Sequence, residues 1–296
     1  MQAYALSSLP AGINPLYAKS DAENLSAVGQ LYHSVYRFTK DWRHFMRRSS
    51  ADLKALARES LNGRIGLPVA AYFLTVVFTF IPVMVITNFL NPYSTVSIIT
   101  NQILAYIISL LVSLCSAGFS YMLLNMNRNR TFQIKDLFYP FSSHPDRFLT
   151  VHLILLLISF LFSLPLEILS YTDDPYASLM LSLGASLVSS LVSILTGLFF
   201  GLADFLMLDD PELGAIDAMK KSLQLMKGNK SRLLYIQLSF LPLYFVGLLT
   251  CYLGYLWIMP YVNCTLTYFY MDLTGEIDNP LPPQEEPPHL DASSYY

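Results

Sequence analysis

Charge is scarce in this chain and missing altogether from its most telling stretch. Only 13% of the 296 residues are Asp, Glu, Lys or Arg, where a soluble domain carries about 25%. From Leu233 to Met271, 39 residues pass without an Asp, Glu, Lys, Arg or His. One helix of that length would measure about 58 Å against a hydrocarbon core of about 30 Å, so the stretch is expected to cross a membrane twice, turning near Gly247 to Gly254. Cysteine is rare too. Cys115, Cys251 and Cys264 show no Cys-x-x-Cys spacing and imply neither disulfides nor a metal site. The five His form no helical His-x-x-x-His pair. No Gly-x-Ser-x-Gly elbow is present, and Gly228-Asn229-Lys230-Ser231 lacks the adjacent Gly and Lys of a phosphate loop. The chain is therefore expected to be no enzyme and to need no cofactor. A basic start followed by an apolar stretch and a small-residue cleavage site is missing as well, so the first span is expected to serve as the insertion signal.

Basic residues are absent from the stretches Asn91 to Thr95 and Tyr171 to Pro175 and from everything after Thr274. All 18 Lys and Arg fall in three blocks: nine before Leu67, four from Asn125 to Phe148, five from Asp209 to Arg232. By the positive-inside rule these blocks face the cytoplasm and the two basic-free loops face outward. The fold class expected is all-α, a polytopic membrane protein with six transmembrane helices and cytoplasmic amphipathic helices. Its spans are placed at about 67–89, 102–124, 149–169, 177–208, 233–246 and 255–271, inside a membrane domain of residues 65–273. Both termini are then cytoplasmic. A five-span form with an external tail would keep the same blocks.

Residues 1–23 carry Ser, Pro, Gly and Ala without period and read as disordered. From Asn24, Val28, Leu31, Val35, Phe38, Trp42 and Phe45 step by three and four, with Arg37, Lys40, Arg43 and Arg47 among the basic residues that accompany them. This basic amphipathic stretch suits an anionic inner leaflet, although a partner helix or the cytoplasmic loops would use the same stripe. A second helix, capped near Ser49 and stopped at Gly63, completes the segment 24–64. The tail, 274–296, is acidic and Pro-rich, extended and disordered, and available to dock a protein partner. Nucleic acid is not an expected partner.

Leu213 to Gly228 reads as a further amphipathic helix, capped by Asp210, with Pro211 in its first turn and Gly228 as its stop. Leu213, Ile216, Met219, Leu223 and Met226 form one face; Lys220, Lys221 and Lys227 are set apart as membrane-surface basics. It lies either in the headgroup layer or packed under its own bundle. In the fourth span Ala185, Ser189, Ser193, Gly197 and Gly201 recur every four residues, a row that lets another helix come close, and Ala105, Ser109, Ser113 and Ala117 offer a matching row on the second. Three polar residues within spans are candidates for function or structure. Glu167 is near enough to the outer boundary to reach water. Asp204, read as C-terminal in its helix, needs a cation such as Lys220, Lys221, Lys230 or Arg232. Asn263, like Gln237, is expected to join helices by hydrogen bonds. Three times a basic cytoplasmic element leads into a pair of spans, which suggests a loose threefold repeat.

The string Ala215-Ile-Asp-Ala-Met-Lys-Lys-Ser-Leu-Gln-Leu-Met-Lys-Gly-Asn-Lys230, with Pro260-Tyr261 and Phe269-Tyr270, resembles a bacterial integral-membrane family known as domain of unknown function family 975. Leu53-Lys-Ala-Leu-Ala-Arg-Glu-Ser-Leu-Asn-Gly63 looks like its opening motif, and the resemblance covers about residues 51 to 273. Pro242-Leu243-Tyr244 departs from the Gly-Trp pair expected there, which bears on the geometry of the fifth span. The Ala-Met-Lys-Lys-Ser-Leu stretch is also faintly similar to membrane domains found beside glycerophosphodiester phosphodiesterases. The family has no established activity, so the resemblance implies a bacterial cytoplasmic membrane and assigns no functional residue. The leading expectation is a non-enzymatic scaffold or accessory protein that binds anionic lipid headgroups or partner proteins. A small-molecule or lipid transporter with its path beside the fourth span is the alternative, and a lipid-modifying membrane enzyme the third.

Overall fold

The computed structural model describes residues 48–89, 95–170, 172 and 174–280. The chain divides into two units, Met1–Arg48 and Ser49–Tyr296. Only Arg48 of the first is described, so the amphipathic stretch from Asn24, with Arg37, Lys40, Arg43 and Arg47, lies outside the described residues, as does the tail beyond residue 280.

The second unit is helical throughout its described length. Helix α1 (Ser50–Leu61) opens with a capping box: the Asp52 amide donates to Ser49 Oγ, and the Ser49 amide donates back to the Asp52 carboxylate. Two otherwise unpaired amides are thereby satisfied. Gly63 follows at φ +74°, a conformation that glycine adopts without strain. The chain then forms α2 (Gly66–Phe89) and α3 (Thr95–Asn127), a 3-10 turn (Ile134–Phe138), and α4 (Tyr139–Ser142). Next come α5 (Pro145–Ser170), α6 (Pro175–Phe200), α7 (Ala203–Asp209) and α8 (Ala215–Met226). Last are α9 (Lys230–Leu238), α10 (Leu241–Leu249) and α11 (Tyr255–Thr274). Two of the three cytoplasmic elements look alike: α1 and α8 both run 12 residues and both precede a left-handed glycine, Gly63 or Gly228. The element between them, the 3-10 turn with α4, does not share that form.

Several boundaries differ from the sequence reading. The helix expected from Pro211 begins at Ala215, with Gly214 as its N-cap. Asp210 instead closes α7, and its Oδ1 accepts the Glu212 amide in a tight turn. The fourth span is broken at Gly201 and Leu202. The fifth is broken at Ser239 and Phe240, just before Pro242, which has no N–H to continue the ladder.

Five helices among the described residues are long and apolar enough to cross a membrane: Gly66–Ile86, Thr100–Asn127, Pro145–Ser170, Pro175–Asp209 and Lys230–Leu249. The expected sixth, α11, is not among them; its 20 residues carry four tyrosines, Asn263 and Asp272. Burial is uneven along the bundle. The core gathers where the basic blocks lie, around Leu53 and Ala57 of α1, the end of α3 (Met122, Leu123, Leu124 and Met126), Leu137, Phe148, Met207, Ala218, Ile236 and Phe269, all at most 1% exposed. Farther along, large apolar side chains such as Phe73, Phe80, Leu161, Phe162, Leu187 and Leu191 are more than half exposed. Apolar surface on that scale belongs against hydrocarbon rather than water.

Of the two positions proposed for α8, its inner face takes the packed one. Ala215, Ala218, Met219, Ser222 and Met226 are buried against the bundle, and Ser222 Oγ donates to the Phe199 carbonyl. Ile216 and Leu223 turn outward, 50% and 37% exposed. Lys220 pairs with Asp217 and Lys221 with Asp210, while exposed Lys227 caps the helix end.

Candidate functional site

Three spans carry polar residues on one face, and the bundle turns those faces toward each other. On α5, His152, Ser159, Ser163 and Glu167 stand seven, four and four residues apart, so they form a single stripe about 22 Å long. Helix α3 contributes Gln102, Tyr106, Ser109 and Ser113, and α6 contributes Ser189, Ser193, Thr196 and Gly197. Together they line a cavity of about 480 Å³, within the range of small-molecule sites. Leu110, Leu155, Leu156 and Phe160 supply its apolar wall.

The small-residue row thus has a different surrounding from the one its spacing suggests. Ser189, Ser193 and Gly197 face the cavity, and Ser109 and Ser113 of the second row line it as well. A Cβ on Gly197 would meet nothing within 4 Å, so the row does not close on a neighbouring backbone there. Only Ala185 is buried; Gly201, exposed, falls at the helix break and donates its amide to the Gly197 carbonyl.

Asp204 also differs from the expectation. The break at Gly201 places it in the first turn of the new helix α7, where the dipole favours an acid. Its partner is none of the expected cations but His152, whose Nε2 lies 3.1 Å from Asp204 Oδ2. A carboxylate can only accept, so the proton sits on Nε2. Asp204 Oδ1 is buried with no hydrogen-bond partner. Glu167 accepts from Ser163 Oγ at 3.2 Å and lines the cavity. Asn263 does not join helices: its Nδ2 donates to Met259 O within α11. The bonds between helices come from residues the sequence did not single out. Ser60 Oγ and Cys264 Sγ both donate to Asn127 Oδ1, at 2.8 and 3.4 Å, which ties α1 and α11 to the end of α3.

A second polar cluster gathers the ends of α3, α7 and α11. The Arg128 guanidinium donates to Glu276 at 2.6 and 2.8 Å and to Asp209 at 2.7 and 3.1 Å, and Tyr270 donates to the same Asp209 carboxylate. Burial alone would lower the Arg128 pKa, but hydrogen bonds and charge from Glu276 and Asp209 outweigh it and hold the group above its ordinary value. Arg232 donates to Asp272 at 2.6 Å. Buried Arg147 donates to the Leu213 carbonyl at 3.0 Å, between α7 and α8. These largely buried contacts read as the structural knot that closes one end of the bundle, with Arg147 Nε left without a hydrogen-bond partner among the described residues. Among the described residues no group of three His, Cys, Asp or Glu converges as a metal would need.

The class this architecture defines is an all-helical protein with five helices fit to cross a membrane, compatible with a multi-pass membrane protein, with an open cavity of mixed polar and apolar lining among three of them. The chain belongs to the family described as protein of unknown function (DUF975), which it matches over residues 46–276. No curated protein and no solved structure matches it.

Proposed function

We propose that this chain is a six-span protein of a bacterial cytoplasmic membrane that binds a small polar solute in the cavity among α3, α5 and α6 and passes it across the bilayer. The observation that carries this reading is an open cavity of about 480 Å³ to which three helices long and apolar enough to span contribute polar side chains. Hydroxyls, Gln102, His152 and Glu167 inside such helices are costly in hydrocarbon, and they mark solute pathways when they line a cavity. Helix α11 is the sixth span. Its length, about 30 Å, matches the hydrocarbon core, and its tyrosines turn toward α1, α7 and α10 through Tyr261, Tyr270 and Tyr255. The three basic blocks favour the cytoplasm for the Arg128 end of the bundle and the N-terminus, and with α11 as the sixth span the C-terminus returns to the same side.

The test is uptake by proteoliposomes bathed in a mixture of small polar metabolites and analysed by mass spectrometry. Some components should enter faster than into protein-free vesicles, and Ser193→Phe, which fills the cavity, should abolish the difference. Uptake equal to that of empty vesicles for every component would reject translocation.

A second reading, the scaffold role, is favoured by the outward face of α8, where Ile216, Lys220, Leu223 and Lys227 share one side and are exposed. That row suits anionic headgroups. Lipids that co-purify with the wild type and are lost in the Lys220→Glu, Lys227→Glu double variant would support it.

A further inference from the structure

We infer that the solute is a small organic cation that carries no negative charge. The inference rests on the translocation reading above and deepens it.

Fixed charge gives the first argument. Neither Lys nor Arg lines the cavity. Its acid is Glu167, and behind His152 stands Asp204. If His152 is neutral, Glu167 and Asp204 bring two negative charges; if it is protonated, its charge offsets Asp204 and one remains. The cavity is therefore negative in either state. Walls of low dielectric focus that field, raising the local concentration of cations and depleting anions.

Hydrogen bonding at Ser113, Ser163 and Thr196 adds to the charge argument. Ser113 Oγ donates to the Leu110 carbonyl at 2.7 Å, Thr196 Oγ1 to the Ser193 carbonyl at 3.1 Å, and Ser163 Oγ to Glu167 at 3.2 Å. With their protons engaged on their own helices, these hydroxyls keep only lone pairs to present. Glu167 adds two more acceptor oxygens. These acceptors suit an ammonium group, while Gln102, Tyr106 and the remaining hydroxyls of the lining can donate to neutral polar groups of the same solute.

Charge-selective cysteine labelling of the full chain in lipid nanodiscs tests this. Cys115 and Cys264 are buried and Cys251 is exposed, so Cys251→Ser removes the one accessible native thiol among the described residues. Ser193→Cys is added in that background, with Ser109→Cys as a second variant should the first fail to fold. The probes are two thiosulfonates of similar size, one bearing trimethylammonium and one bearing sulfonate. Cys251 of the wild type, at the α10–α11 turn outside the cavity, supplies the reference ratio of the two rates.

In both cavity variants the cationic reagent should react faster, by at least about ten-fold over the reference ratio, and Glu167→Gln should cut that excess several-fold. A ratio equal to the reference, or one favouring sulfonate, overturns the cation inference while leaving translocation standing. An excess that Glu167→Gln does not change overturns the assignment to this carboxylate. If Cys251 reacts but neither cavity variant does with either reagent, the cavity is not hydrated, and the translocation reading falls with the inference.

Discussion

Gly118 of α3 is where one methyl group should do the most damage. A Cβ built there would lie 1.9 Å from the Leu137 carbonyl oxygen, 2.5 Å from its carbon and 2.8 Å from its Cα. All three are backbone atoms, so no rotamer change relieves the clash. The closest ordinary approach of carbon to a carbonyl oxygen is about 3.3 Å, so the 3-10 turn would have to retreat by about 1.5 Å. That retreat would loosen Leu137, which is fully buried, and disturb the edge-to-face contact of Phe138 with Phe78 at 6.0 Å. Overpacking costs about 1–3 kcal/mol, and a clash this close with backbone belongs at the upper end. Replacing a helical glycine by alanine returns about 1 kcal/mol. The net loss expected for Gly118→Ala is about 2 kcal/mol, a fall in unfolding temperature of roughly 4–8 °C on the size scaling of globular domains. Gly197→Ala is the matched control, since its Cβ meets nothing within 4 Å; it should be neutral or stabilising by up to about 1 kcal/mol. Thermal unfolding of both variants in one detergent compares them. If Gly118→Ala melts at or above Gly197→Ala, the close seating of the 3-10 turn on α3 is wrong.

Replacing His152 by Leu takes from the Asp204 carboxylate its one hydrogen-bond partner among the described residues. It should cost about 1–3 kcal/mol by the same melting assay, and His152→Leu with Asp204→Leu together should recover most of that loss. Arg128→Met leaves Glu276 and Asp209 facing each other without a cation and is expected to cost about 3–5 kcal/mol; Arg128→Lys cannot reproduce the two-sided fork and should rescue little. An unchanged melting point for Arg128→Met would remove this cluster from the account of stability. Reporters fused after Arg130 and Lys230 should register cytoplasm and one after Asp174 the outside. A C-terminal reporter should also register cytoplasm, and an external signal there would reject α11 as a span.

Much of the class of this protein is legible residue by residue, because the solvent a segment prefers is a local property. The charge-free run from Leu233 to Met271 reads as apolar wherever its neighbours lie, and its first part falls in one of the five helices fit to cross a membrane, Lys230–Leu249. The three basic blocks argue for one membrane face without reference to the fold, and Ser49 with Gly63 brackets α1 through contacts inside one turn. Tertiary structure decides what a face meets. The four-residue row through Ser189, Ser193 and Gly197 suits tight packing and cavity lining alike, because a small side chain both admits a neighbour and leaves room when none arrives. Only the placement of α3 and α5 beside α6 opens the cavity. Asp204 reads as the end of a long helix until the break at Gly201 makes it the start of a short one, which reverses the dipole it feels. His152 stands 52 residues from Asp204 and Arg128 148 residues from Glu276, and no spacing rule reaches across such distances. Those partners are set by how the helices cross, and the crossing depends on the shapes of all the packed side chains together rather than on any one stretch of sequence.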